Sequence, residues 1–373
     1  MTAAAVTPDA LVVGAGVVGA ACARALAQAG LRVELLEAGF LGGGATGAGM
    51  GHIVVMDDSP AQLALTRASS GLLAELMDEL PADVELVRTG TLWIAADAVE
   101  IEGARAKVDA YRAAGVAAEL LDGAALAEAE PELRPGLAGA ARVPEDAVLY
   151  PPALARWLAA APGLRVREGS RVSALEGGGV VLEDGSRRSA GSVVLATGAA
   201  AAQLAPGLPV MPRRGHLLVS ERYPDFCRHQ LVELGYLRSA HDVRTASVAF
   251  NVQPRATGQL LIGSSRELVG WEAGVNRGMV ARMLARACAY LPRLAALQMI
   301  RTWTGFRPAT PDGLPLIGRW PRVPDTWVAV GHEGLGITTA LATGRLLAEL
   351  VTGAAPFLDP APYDPLREPV VSG

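Results

Sequence analysis

The stretch from Leu11 to Ala23, LVVGAGVVGAACA, restricts this chain more than any other. An apolar strand runs into Gly14, Gly16 and Gly19 in the pattern G-x-G-x-x-G, and an alanine-rich helix follows. Each glycine has its own physical duty. The first permits a tight turn, the second lets a pyrophosphate approach bare backbone, and the third lets the helix pack against the strand. The free N–H groups at the helix start carry the positive end of its dipole and suit a phosphate. Hydrophobic periodicity predicts a strand over Leu11 to Val13, a helix over Val17 to Ala29 and a second strand over Val33 to Glu37, which is a βαβ unit. Glu37 stands where a carboxylate would hold a ribose hydroxyl pair, and an acid there, in place of an arginine, disfavours a 2′-phosphate. A dinucleotide is expected, although the glycines alone do not separate NAD from FAD.

Two later segments repeat the device. SVVLATGAA places the small turn Thr197-Gly198-Ala199 after an apolar strand. VGHEGLGITTALATG runs from strand through a glycine turn into a helix, whose free N–H groups near Leu335 to Thr338 would meet the negative charge at the N1 and O2 edge of a reduced flavin. Between these segments, Ser59-Pro60 reads as a cap and first turn opening a helix through about Leu80, GTLWIAAD (Gly90 to Asp97) as a strand, and Val99 to Ala114 as a helix. A further helix is expected at 150–162, short strands at 165–196, β patterns at 210–265 and a helix at 275–291. Nucleotide-type elements thus sit at the start, middle and end, with β-rich material between them.

A length of 373 residues favours two domains, since single cores stop growing near roughly 250–300 residues. The fold class expected is α/β. A Rossmann-like, glutathione-reductase-type parallel sheet would carry the dinucleotide over 1–82, 147–208 and 305–373, and a β-sheet-rich substrate domain would be inserted as 83–146 and 209–304. The net charge of −5 argues against nucleic acid or an anionic membrane as the main partner. The apolar stretch at Leu11 to Ala23 is too short to span a bilayer and lacks a signal-peptide layout, so a cytoplasmic protein without a transmembrane segment is expected. Cys22, Cys227 and Cys288 lie far apart with no C-x-x-C pair, so reduced thiols and no metal site are expected.

With those residues in view, the chain resembles the FAD-dependent D-amino-acid oxidase and glycine oxidase superfamily. The N-terminal fingerprint, the glycine loop after Glu37, ATGAA, GFRPATPDGLPLIG and GHEGLGIT carry the likeness in order and spacing. GATGAGMGHIVVMDDSPAQLALTR, NVQPRATGQLLIGSSRE and GHEGLGITTAL look most like the β subunit of D-hydroxyproline dehydrogenases and of opine oxidases. The resemblance implies that Gly14, Gly16, Val17, Val18, Gly19, Glu37, Ala38, Gly44, Ala45, Thr46, Gly49, Met50, Gly51, Val172, Thr197, Gly198, Gly305, Arg307, Gly331, Gly334, Leu335, Gly336, Ile337 and Thr338 line or shape the FAD site. Gly42 to Gly51 would be bare because side chains would collide with the cofactor, and Thr46 would hydrogen-bond it. Related sarcosine enzymes tether flavin through a cysteine or histidine, and those positions are Gly305 and Ala48 here, so the FAD is expected to be non-covalent. Glycine oxidases carry an arginine where this chain has Gly334, which weakens glycine as substrate.

On the substrate side, a guanidinium fork at Arg307 in GFRPATPDG would clamp a carboxylate, as the matching arginine does in the family. His52 follows the loop that passes the ring and reads equally as a pocket residue or a structural histidine. Asp57 and Asp58 read as helix-entry residues more than as substrate-facing acids; Arg213, Arg214 and Arg238 read as solvated; Trp271, Glu272 and Tyr236 are candidates for the pocket roof. In the turn at His332 and Glu333, backbone is expected to matter more than side chains. The expected reaction is oxidation of the CH–NH bond of a D-imino or D-amino acid by hydride transfer to flavin N5, with cis-4-hydroxy-D-proline, giving a pyrroline carboxylate, as first candidate. No protein base is required if the amine binds unprotonated. Electrons would pass to small iron–sulfur- or flavin-bearing partner subunits in a hetero-oligomer. The alternatives are a self-sufficient oxidase of glycine, sarcosine or D-amino acids using O2, an opine oxidase subunit, and a non-catalytic flavin-bearing assembly subunit.

Overall fold

Strand order around the first βαβ unit sets where a ligand can sit. The computed structural model describes residues 7–235 and 246–368, so Tyr236 and Arg238 lie outside the described residues. One sheet has six strands in the order Leu316–Arg319, Thr326–Val330, Ser192–Leu195, Ala10–Val13, Val33–Leu36 and Leu164–Arg167. All neighbours are parallel except the edge strand Leu316–Arg319. Ala10–Val13 and Val33–Leu36 are buried along their whole length, as expected of strands covered on both faces. Order reverses at Ala10–Val13, which has Val33–Leu36 on one side and Ser192–Leu195 on the other, and such a reversal opens a crevice beyond the carboxyl ends of the strands. Helix Val17–Gln28 starts at that crevice. It packs against helix Gly336–Thr352 at a distance only glycine allows, since a Cβ on Gly344 would lie 2.6 Å from the carbonyl oxygen of Ala21.

The second sheet has eight strands in the order Met299–Ala309, Met211–Arg222, Gln259–Arg266, Ser247–Pro254, Gln230–Glu233, Thr91–Ala95, Gly139–Val143 and Glu119–Asp122. Its neighbours are antiparallel apart from the parallel pair Gln230–Glu233 and Thr91–Ala95. Helix Arg277–Tyr290 covers part of it, with Tyr290 stacked on Phe250 at 4.4 Å between ring centroids. Helix Ala98–Ala113 packs nearby and buries Val108 and Tyr111 in a cluster with Trp93. Strand Met299–Ala309 runs through positions 305 and 307, so Gly305 and Arg307 belong to the second sheet, paired with Gly215 and Arg213.

The helix expected from Pro60 begins there, capped by Ser59, whose hydroxyl accepts the Gln62 N–H at 3.1 Å, but it ends at Leu76 and gives way to a tight turn at Met77–Glu79. Asp57 and Asp58 precede the cap, as helix-entry residues would. Asp57 forms an ion pair with Lys107, and Asp58 lines the central cleft. Among the described residues no helix is long and apolar enough to cross a membrane.

Candidate active site

A cleft of about 810 Å³ runs between the two sheets, within the span of roughly 300–1,000 Å³ usual for cofactor and ligand sites. At its dinucleotide end Gly14 has φ +101°, and a Cβ there would lie 2.6 Å from the carbonyl oxygen of Ala196. A Cβ on Gly19 would lie 1.8 Å from the Gly14 oxygen, so the third glycine of the fingerprint serves helix–strand packing and does not itself line the cleft. Glu37 accepts the Ala15 N–H at 2.7 Å on one oxygen and the Gly39 N–H at 2.8 Å on the other, which aims its carboxylate beside the phosphate turn. Thr197 also lines the cleft, and its buried hydroxyl oxygen has no hydrogen-bond partner among the described residues. A glycine turn, a placed carboxylate, a helix N-terminus and an orphaned hydroxyl together fit the ribose–pyrophosphate part of FAD.

Within the glycine run after Glu37, Gly44–Ala48 forms a short helix. Gly43, Gly44, Gly49 and Gly51 line the cleft, and two glycines of the run also answer to protein neighbours: a Cβ on Gly42 would lie 3.0 Å from Pro152, and one on Gly51 only 1.9 Å from the Leu149 oxygen. Thr46 is committed to the protein as well, because its hydroxyl oxygen accepts the Val17 N–H at 3.0 Å and so caps the dinucleotide helix. Ala45, Gly49 and Met50 line the cleft beside it, as do Val17, Val18, Ala38 and Val172. Ala48 and Gly305 are neighbours across the cleft wall, since a Cβ on Gly305 would fall 2.6 Å from the Ala48 methyl carbon.

Helix Gly336–Thr352 presents Leu335, Gly336 and Ile337 to the cleft at its N-terminus. Two residues assigned to the cofactor act through packing instead. The Thr338 hydroxyl donates to the His52 carbonyl at 3.0 Å and accepts the Val54 N–H at 3.2 Å, and a Cβ on Gly331 would strike the Thr310 methyl at 2.5 Å. His332 is buried, hydrogen-bonds Thr343 at 3.1 Å, and is pushed down to about 3 by burial.

At the other end the cleft is lined by Arg213, Arg266, Arg307 and Glu333. Arg307 spends one Nη on the Ser265 carbonyl at 2.9 Å, and the guanidinium lies where a Cβ on Gly215 would sit, 2.2 Å from that nitrogen. Gly215 therefore clears the place that Arg307 occupies. Arg213 and Arg214, expected to be solvated, are 4% and 3% exposed. Arg213 donates to Glu333 at 3.3 Å, while Arg214 binds Glu267 at 3.0 Å and the carbonyls of Glu272 and Gly274. Glu333 has φ 49° and matters through its side chain too. Burial opposes its ionisation, but Arg266, Arg307 and Arg213 outweigh burial and hold the carboxyl below its usual value. Trp271 lines the cleft against Phe306 with ring centroids 5.1 Å apart, whereas Glu272 is turned out to solvent beside Arg214. His52 lines the cleft and has Nε2 2.9 Å from the Thr91 hydroxyl. Sequence reading missed Arg266, Trp93, Asn251 and Ser264, which line this end from interior strands. A glycine inside a strand pattern, Gly215 beside two arginines, was the available signal of close approach.

The comparisons with known proteins agree with this geometry. The model of the DAO family, described as FAD dependent oxidoreductase, matches residues 9–350. The glycine oxidase of Pseudomonas aeruginosa is 33% identical over 384 residues, covering 95% of this chain and 98% of the relative. The hydrogen cyanide synthase subunit HcnC of the same organism is 29% identical over 416 residues, covering 96% and 95%. The crystal structure of glycine oxidase from Geobacillus kaustophilus superposes with a TM-score of 0.86 at 29% identity, covering 97% of this chain and 99% of that one. Fingerprint, cleft and likeness over nearly the whole length converge, and the chain belongs to the DAO family of FAD-dependent oxidoreductases, enzymes that act on amino donors.

Proposed function

We propose that the protein oxidises the CH–NH bond of a small D-imino or D-amino acid, with cis-4-hydroxy-D-proline as the first candidate. The observation that carries this reading is the arginine-rich end of the cleft, where Arg307 reaches past Gly215 and Gly334 leaves open the space beside its guanidinium. A Cβ at 334 would sit in ordinary contact, 3.5 Å from Arg307 Nε, so a longer side chain there would occupy space beside the clamp that is left to a ring-bearing substrate.

FAD, when bound, supplies a two-electron acceptor for the α-hydrogen. The chain's own residues do the positioning. Arg307 holds the substrate carboxylate, Arg213 and Arg266 set a positive field, and Glu333 offsets part of it. Trp271 and Phe306 supply an apolar wall beside the clamp. Non-covalent attachment is supported by Ala48 and Gly305, neither of which offers a nucleophile. The reading assigns the cofactor to 1–82, 147–208 and 310–373 and the substrate domain to 83–146 and 209–309, the boundary expected at 305 moving because strand Met299–Ala309 belongs to the second sheet, and it assigns the protein to the cytoplasm.

Electrons would then leave through partner subunits bearing iron–sulfur or flavin groups, a reading supported by the likeness to a relative named as a subunit. A self-sufficient oxidase is the second reading, favoured by the 33% identity to a glycine oxidase. Anaerobic mixing of the flavoprotein with cis-4-hydroxy-D-proline is expected to bleach the flavin band, and an unchanged band would overturn the substrate assignment. Subsequent re-oxidation by air should be slow; fast re-oxidation moves the case to the oxidase.

A further inference from the structure

Amine oxidation leaves one proton without a destination. An amino or imino acid is an ammonium in neutral water, whereas hydride departs from the free amine, so a proton must move as the substrate binds. His52 lines the cleft from the short strand His52–Ile53, which pairs with Ala147–Val148. Its Nε2 lies 2.9 Å from Oγ1 of the fully buried Thr91. The Thr91 hydroxyl lies close enough to the Asp146 carboxyl to favour its ionised form. Asp146 is 3% exposed, accepts the Val55 N–H at 3.2 Å on Oδ1, and has no partner for Oδ2 among the described residues. Accepting one amide needs no acid, because an asparagine would serve.

We propose that His52, Thr91 and Asp146 form a proton path leading from the substrate end of the cleft into the second sheet. The proposal rests on the amine-oxidising reading. The substrate ammonium gives a proton to Nδ1 of His52 as the Nε2 proton passes to Thr91 Oγ1 and the Thr91 hydroxyl proton passes to the Asp146 carboxylate. One N–H bond breaks on the substrate, one O–H bond forms on Asp146, and no electrons move between the groups. The roles are those of relay for His52 and Thr91 and of acceptor for Asp146.

The local electrostatics suit these roles. Burial pushes the His52 imidazole down to about 3, so the ring does not store the proton as imidazolium and has to pass it on. Burial pushes the Asp146 carboxyl up to about 7, against the Thr91 hydroxyl, the Val55 hydrogen bond and the charge of Lys107, so it can hold a proton near neutrality. The other groups facing it are Tyr111 and, across that ring, Asp57 and Asp58. Lys107 pairs with Asp57, whose side chain is 18% exposed, so the acceptor end adjoins a cluster that reaches solvent.

The experiment uses the holoprotein with ¹⁵N-labelled imidazoles and ¹³C-labelled carboxyls, read by NMR against pH and without turnover. The His52 nitrogens are expected to shift with a midpoint of about 7 in step with Asp146. Thr91→Val should uncouple them, and Thr91→Ser should restore the coupling. In anaerobic flavin reduction at saturating substrate, the wild-type rate should fall as pH drops through about 7. Thr91→Val should lose that limb and run about 100-fold slower, with substrate affinity and melting temperature little changed. His52 signals that ignore the Asp146 titration, or a Thr91→Val variant that keeps the wild-type pH profile, would overturn the path. Coupled titration in a protein whose flavin no amino or imino acid bleaches would support the linked groups and overturn the amine reading.

Discussion

The two ends of the cleft present charge by opposite means. At the dinucleotide end the work is done by backbone: Gly14 and Gly19 leave room, the Val17–Gln28 helix presents N–H groups, and the Glu37 carboxylate is fixed by two amide donors. At the arginine-rich end it is done by side chains brought from separate strands, with Arg213 and Arg307 on adjacent strands, Arg266 on a third and Glu333 in a distant turn. Backbone recognition is rigid and tolerates no added atom. Side-chain recognition depends on balance, so its members can be changed one at a time with graded loss.

Gly19→Ala should produce the largest effect. With a Cβ that would meet the Gly14 oxygen at 1.8 Å, the helix cannot keep its place on the strand. We expect a loss of stability of about 3 kcal/mol and a protein that purifies without the flavin absorption band, checked by melting and by visible spectrum. Arg307→Met should leave flavin content intact and raise the substrate dissociation constant about 100-fold, or about 3 kcal/mol, in anaerobic titration. Unaltered affinity would mean that Arg307 is not the clamp.

Glu333→Gln probes the balance. The folded carboxyl titrates below its usual 4.5, so its stabilising contribution is fully present above that pH and is lost as pH falls through the lower folded value. The variant should be about 1 kcal/mol less stable at neutral pH and should show a shallower decline below pH 4.5 in urea melts. A steeper decline would break the assignment of Glu333 as counter-charge. Glu272→Gln serves as the rim control: its side chain is 70% exposed and 3.8 Å from Arg214, so stability and affinity should move by less than about 0.5 kcal/mol.

Legibility followed the same division. The fingerprint, Glu37, the ATG turn and the start of the last helix were readable because short-range spacing encodes them. Arg213 and Arg214 were misjudged because RRGHLLVS reads as an ordinary strand, and nothing local says that both its faces are covered. Thr46 lines the cleft as its motif suggested while its hydroxyl oxygen also accepts the Val17 N–H, and Thr338, assigned to the cofactor from its motif, holds one segment to another. His52 could not be assigned from sequence, because its partner Thr91 lies 39 residues away and Asp146 farther still.

By itself the sequence determined the α/β class, the dinucleotide turn and the FAD family, since a turn, a helix start and a buried parallel strand are set by residues near one another in the chain. Only the tertiary structure decided which charges face the cleft and why Gly42 and Gly51 must be glycines. Those depend on sheet register: pairing Gly215 with Gly305 and Arg213 with Arg307 fixes what meets across strands far apart in sequence, and no local pattern carries that information.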